Sequence, residues 1–193
     1  MITVPRLGLD ASAVTAAAAA LADEIGFPQL GMNLVAERIG VKTPSLYKHV
    51  NGLADLTHRI AVLAAHELGD ALRDAIQGLA GRDALAAAAN ALRLYIRAHP
   101  GRYAALNERG PTGPNDPLSA AIDRLLNSFG AILYGYRIDP ADQIHALRLL
   151  RSFMYGFATI EVAGGFRLQA DSDDSFAWMI DFIDRGLRTS GTV

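Results

Sequence analysis

Apolar residues recur along this chain at three- and four-residue intervals, the repeat of helices that each bury one face. Asp10 caps a first helix that runs to Ile25. Pro28 and Gly31 punctuate the loop to a second, Met32 to Ile39, and Pro44 to Val50 form a short third that Asn51-Gly52 ends. A long helix is predicted from Leu53 to Leu79, broken at Gly78 to Gly81, and another from Asp83 to His99, stopped by Pro100-Gly101. Tyr103 to Glu108 predict a short turn of helix. The run Gly110 to Pro117 is too rich in Gly and Pro for one and predicts a mobile loop. Further helices follow at Leu118–Tyr134, Pro140–Val162 and Asp173–Leu187, with Asp139 before Pro140 as a start signal. Residues 1–9 read as a loose arm. With no internal repeat and no strand, the expectation is an all-α chain: a three-helix head over residues 1–52 and a helical bundle over 53–193.

Within the head, Leu34 to Val50 reads LVAERIGVKTPSLYKHV. Leu34, Val35 and Ile39 share an apolar face, and Ala36 is small enough for a second helix to cross close above it. Gly40 stands where a left-handed residue ends a helix. Thr43 is the expected N-cap of the next helix and Pro44 its first residue. Leu46 and Val50, at i and i+4, face inward. Lys42, Thr43, Pro44, Ser45, Tyr47, Lys48 and His49 remain on or near the outer face. A short helix presenting cations, hydroxyls and one aromatic beyond a tight turn is the DNA-reading half of a helix-turn-helix. In that reading Tyr47 and Lys48 take phosphates or sugars, Lys42 a phosphate or guanine, and Thr43, Pro44 and Ser45 approach the major-groove edge.

Composition and charge modify this picture little. Alanine is abundant, which favours helix. The absence of cysteine removes disulfides, thiolate metal sites and cysteine nucleophiles. No signal-like apolar core follows the N-terminus and no apolar run approaches a membrane span, so the expectation is a soluble, cytoplasmic chain with no membrane partner. The net charge of −2 argues on its face against a nucleic-acid partner. Locally, Arg38, Lys42, Lys48 and Arg59 outweigh Glu37 and Asp55, a patch of +2 with His49 and His58 in addition.

The head resembles the DNA-binding domain of TetR-type transcriptional regulators. Ala36, Gly40, Val41, Leu46, Tyr47, His49 and Val50 stand in register with that family's motif, and Asp10 to Ile25 followed by Gly26-Phe27 resembles its first helix and break. Phe153-Met154-Tyr155-Gly156-Phe157, Gly164-Gly165-Phe166 and Asp173-Asp174-Ser175-Phe176 resemble a C-terminal domain of the Trp-His-Gly type. The resemblance implies a ligand-responsive regulator without enzymatic activity or cofactor, a repressor binding a palindromic double-stranded DNA operator as a homodimer and released by a small, largely apolar effector. Tyr95, His99, Tyr103, Asn107, Phe129, Met154, Phe157 and Glu161 are then the candidate effector pocket. Phe153, Ile160, Phe176, Met179, Ile180, Ile183 and Leu187, on the last two helices, are the candidate dimer interface. Two positions depart from the family: Gly31 where many members carry a capping Ser or Thr, and Leu53 where many carry a Lys. With fewer phosphate contacts, Arg38 or Arg6 of the arm takes on more of the DNA binding.

Two other classes compete. His66 and Asp70, at i and i+4, have metal-ligand spacing but no third ligand nearby, and neither a P-loop, a G-x-G-x-x-G nor a G-x-S-x-G is present, which disfavours an enzyme. A helical ligand-binding or scaffold protein with weakened DNA binding is the alternative that Gly31 and Leu53 support.

Overall fold

The computed structural model describes residues 9–190, which hold nine α-helices and no strand. The helices are α1 (Ala11–Ile25), α2 (Met32–Ile39), α3 (Thr43–Leu46), α4 (Gly52–Ile76), α5 (Gly81–Ala98), α6 (Pro100–Glu108), α7 (Pro117–Tyr134), α8 (Gln143–Val162) and α9 (Ser172–Ser190), with a 3-10 turn at Phe27–Gln29. Apart from Leu9, the expected N-terminal arm lies outside the described residues, as does Arg6. The described residues divide into two compact units: one holds those up to Ala64 together with His99–Leu118, the other holds Ala65–Ala98 and those from Ser119 onward. The first unit thus takes in α6 as well as the three helices of the head.

Three local expectations change. α3 is a single turn, Thr43–Leu46, with Lys42 rather than Thr43 at its N-cap and no side-chain cap. Residues beyond it continue as turns, His49 and Val50 donating their amides to the Leu46 carbonyl at 2.9 and 3.0 Å. α8 begins at Gln143 rather than Pro140. The Asp139 carboxylate accepts the Ala141 amide at 2.8 Å and its carbonyl accepts the Asp142 amide at 2.8 Å, which closes a turn ahead of the helix. α6 spans nine residues, Pro100 serving as a first residue that needs no amide partner.

In the first unit, Asp10 accepts the Ala13 amide at 2.7 Å to start α1. Val14, Ala18, Ala22, Val35, Leu46, Val50, Leu56, Ile60 and Ala105 close one core over this unit. Gly101 lets α6 lie against α1, because an added Cβ would collide with the Ala22 carbonyl. The Gly110 to Pro117 segment is tied down by Asp116. Its buried carboxylate accepts the Thr112 amide and hydroxyl, both at 2.7 Å, and the Leu118 amide at 2.8 Å, and lies 2.8 Å from the His58 ring.

The second unit carries a buried ion pair. Arg93 is almost fully buried and donates to Glu161 at 2.8 Å, with Asp173 at 2.7 Å. Its guanidinium packs over Phe176 and Phe157, 4.8 and 5.3 Å from the ring centroids. Phe176 in turn meets Phe157 and Phe153 at 4.7 and 5.5 Å. One side chain of α5 thereby ties together α8 and α9. Nearer the other end of α9, the buried Tyr136 hydroxyl donates to Asp184 at 2.8 Å and Arg188 to the same carboxylate at 2.9 Å.

Two carboxylates link these networks to pH. The Thr112 amide, then the Leu118 amide, hold Asp116 far below the ordinary carboxylate range, and the hydrogen bond from Arg93 holds Glu161 below its own. A depressed folded-state value stabilises above the unfolded value and loses that contribution as pH falls through the folded one. Thermal stability is therefore expected to decline on acidification below about pH 5, with Asp116→Asn less stable at neutral pH and showing a shallower acid limb. A wild-type melting temperature unchanged between about pH 6 and pH 3 would contradict the assignment.

Candidate DNA-binding interface

The α2–α3 turn is built on one left-handed residue. Gly40 adopts φ 77°, ψ 33°, and its amide reaches the Glu37 carbonyl at 3.0 Å while the Val41 amide reaches Ala36 at 2.9 Å. This pair of bonds closes α2 and reverses the chain. Ala36 is buried beneath the turn. Beyond it, Leu46 is fully buried and Val50 nearly so. Fully burying such a side chain is worth about 1.5–3 kcal/mol, so these two fix the rotation of α3 and of the turns that follow.

Fixing that rotation determines what faces outward. Lys42, Pro44, Tyr47 and Lys48 are exposed, Tyr47 at 57%, and Thr43, Ser45 and His49 are half-buried. Neither lysine forms an ion pair with a carboxylate of the described residues. Lys42 and Lys48 therefore stand with their charges available. Gly52, at φ 86°, sits against the Tyr47 ring, and a Cβ there would lie 3.9 Å from Tyr47 Cε1.

Arg38 is placed differently. It is held by Glu24 of α1 through two hydrogen bonds, one of 2.9 Å from Nη1 to Oε1. Sequence reading missed Glu24, because the pairing spans fourteen residues and two helices. Asp55 likewise engages Arg59 at 3.0 Å and accepts the Asn51 amide at 2.8 Å, so Arg59 is not a free cation of the patch. Gly31 precedes α2 in extended backbone, φ −142°, with no side-chain cap, and Leu53 is 39% exposed.

Comparison with known proteins bears on this geometry. Residues 14–56 match the model described as bacterial regulatory proteins, tetR family, and residues 85–183 match the tetracyclin repressor-like C-terminal domain. An uncharacterised HTH-type transcriptional regulator of Mycobacterium tuberculosis, Rv0681, is 32% identical over 88% of this chain and 78% of its own length. The chain belongs to the TetR family of transcriptional regulators.

The fold agrees. A TetR variant of Acinetobacter baumannii AYE, solved with minocycline, superposes with a TM-score of 0.71 at 21% identity over 96% of this chain and all of its own. BioQ, solved with its double-stranded DNA operator, gives 0.66 at 22% identity over 94% of this chain and 99% of its own. The family matches make this chain a transcriptional regulator with a DNA-binding domain, not an enzyme. Its C-terminal match carries the tetracyclin repressor-like description rather than the Trp-His-Gly subtype that Met-Tyr-Gly suggests.

The expected effector residues fall in both units of this TetR chain. In the first, His99 Nδ1 lies 3.2 Å from Asp23, Tyr103 is half-buried and Asn107 is exposed. In the second, Phe129, Met154 and Phe157 are closed core, Tyr95 donates its hydroxyl to Glu67 at 2.9 Å, and Glu161 is taken by Arg93. None of the eight lines the groove at Leu133 and Ile144 or the one at His66 and Arg124. Their helical spacing identified inward-facing positions for Phe129, Met154 and Phe157, while Tyr95, His99 and Glu161 have internal partners.

The expected dimer residues sit on the last two helices as follows. Phe153, Phe176, Ile180, Ile183 and Leu187 are buried within the chain itself, and Met179 is half-buried; only Ile160, 45% exposed, faces outward. The strongest apolar stripe of a helix goes first to its own core. The outward face of α9 instead presents Trp178 and Phe182, 61% and 58% exposed, stacked with centroids 5.4 Å apart. Both lie off the stripe at i and i+4, a signal the sequence contained.

The two glycines of the head make a direct comparison. A Cβ at Gly40 meets open space, so Gly40→Ala isolates the backbone cost and is expected to destabilise by about 1–2 kcal/mol in urea denaturation. Gly31 needs no unusual φ, and a Cβ there meets only the movable end of Asn33. Gly31→Ser supplies the missing cap and should stabilise by a few tenths of a kcal/mol. Equal costs at both positions would contradict the turn described.

Proposed function

We propose that this TetR chain is a repressor that binds a near-palindromic operator as a homodimer and is released by a small, largely apolar effector. The observation that carries the reading is the outer face after the Gly40 turn, where Lys42, Tyr47 and Lys48 stand exposed on a segment locked by Leu46 and Val50. Tyr47, Lys48 and Lys42 take phosphates, and Thr43, Pro44, Ser45 and His49 lie nearest the base edges. Arg38 joins them when it leaves Glu24. That BioQ was solved on operator DNA supports this reading.

One such short segment reads few bases. A twofold dimer sets two of them in successive major grooves, which gives specificity. The exposed Trp178–Phe182 stack of α9, with Ile160 of α8, supplies apolar surface for the partner. The effector binds in the domain formed from residue 53 onward; that the A. baumannii protein was solved with minocycline supports a small molecule as partner. α4 is one uninterrupted helix whose first part belongs to the unit that reads DNA and whose last part belongs to the other. An effector that prefers one setting of α4 shifts operator affinity by its differential affinity for the two states, typically about 1–3 kcal/mol.

The test is selection from a random duplex pool by the purified chain, followed by anisotropy titration of the enriched sequence with wild type and Tyr47→Ala. An enriched inverted repeat, bound at two chains per duplex and weakened at least tenfold by the substitution, is the expected result. Absence of enrichment, with wild type and variant alike, would favour a helical ligand-binding protein whose head no longer reads DNA.

A further inference from the structure

A groove of about 680 Å³ opens where the end of α7 meets the start of α8, within the second unit. That volume lies in the range of sites for small organic ligands. Leu133, Ile138, Ile144 and Leu147 make it largely apolar, and Arg137 and Tyr134 add the polar groups.

Two features of Arg137 bear on the groove. It is the one non-glycine residue with positive φ, 52°, among the described residues, a conformation L side chains rarely adopt. Its neighbours explain why. Tyr136 is buried with its hydroxyl on Asp184, and Ile138 is buried too, so the backbone reverses between two anchors and leaves the arginine alone exposed. Arg137 also has no carboxylate partner among the described residues. Among the residues lining the groove it is the one cation, and no lining residue is acidic. The nearest acid in sequence, Asp139, directs its carboxylate to the Ala141 amide.

Apolar walls with a single unneutralised guanidinium describe the complement of an amphipathic monoanion. We propose that this groove is the effector site and that it takes aliphatic monocarboxylates, the carboxylate paired two-pronged with Arg137 and the chain laid along Leu133, Ile138, Ile144 and Leu147. A neutral alcohol of equal length gains the walls but not the charge, and acetate gains the charge but not the walls. The assignment rests on the regulator reading above for its consequence, though not for the binding itself.

The experiment is calorimetric titration of the full chain with decanoate below its micelle concentration, with decanol and acetate as controls. Decanoate is expected to bind at one site per chain, decanol more weakly, and acetate not measurably. Arg137→Gln should weaken decanoate at least tenfold and leave decanol unchanged. Arg137→Gly serves as the folding control: it relieves the positive φ, so its melting temperature should hold or rise while decanoate affinity is lost. Gly130 lines the groove with open space at its Cβ, so Gly130→Leu should fill the groove and abolish binding of both ligands. No decanoate binding by wild type, or unchanged binding by Arg137→Gly or Gly130→Leu, would overturn the site. In a separate titration on the selected duplex, decanoate should lower affinity at least fivefold. Binding without that shift would overturn the effector role while leaving operator recognition intact.

Discussion

The arrangement of the head depends on the left-handed turn at Gly40 together with the burial of Leu46 and Val50. The turn decides that the chain reverses after α2. The two buried side chains decide which way the next segment is rotated when it emerges. Everything chemically useful there follows from that rotation. With Leu46 inward, Tyr47 and Lys48 face out. α3 is only four residues long, too short to hold its own shape, so it is tertiary packing rather than helix propensity that presents its polar face.

The two units solve the problem of buried polarity differently. Asp116 in the first gathers three protein donors and a histidine ring, and so fixes a segment rich in proline and glycine against the α4 side chain His58. Arg93 in the second is enclosed by two carboxylates and two phenylalanine faces. A buried pair of this kind is weak evidence of net stability, but breaking it by removing one partner leaves an uncompensated charge. It therefore fixes how α5, α8 and α9 register on one another. Against that fixed frame, Arg137 is the one cation lining the groove between α7 and α8.

Much of this was legible in the sequence. Helical periodicity, Gly40, Pro44 and the Leu46–Val50 pair predicted the head, and the family's motif residues fell in register with it. What stayed hidden depended on partners distant along the chain. Glu24 captures Arg38, and Glu161 is consumed by Arg93, sixty-eight residues away. Periodicity identifies an apolar face without saying whether the same chain or another covers it. That is why Phe176, Ile180, Ile183 and Leu187 read as an interface although they are buried within the chain, while the exposed Trp178 and Phe182 were passed over. The prediction of a mobile segment at Gly110 to Pro117 weighed its glycines and prolines and gave no weight to Asp116.

The central claim is that the Gly40 turn delivers unpaired cations to DNA phosphates. The most direct measurement is the salt dependence of operator affinity for wild type and for the double variant Lys42→Gln, Lys48→Gln. A dimer that loses four phosphate contacts should show a log–log slope shallower by roughly three to four units. An unchanged slope would mean that these lysines do not face the phosphates, and would contradict the placement of the reading segment.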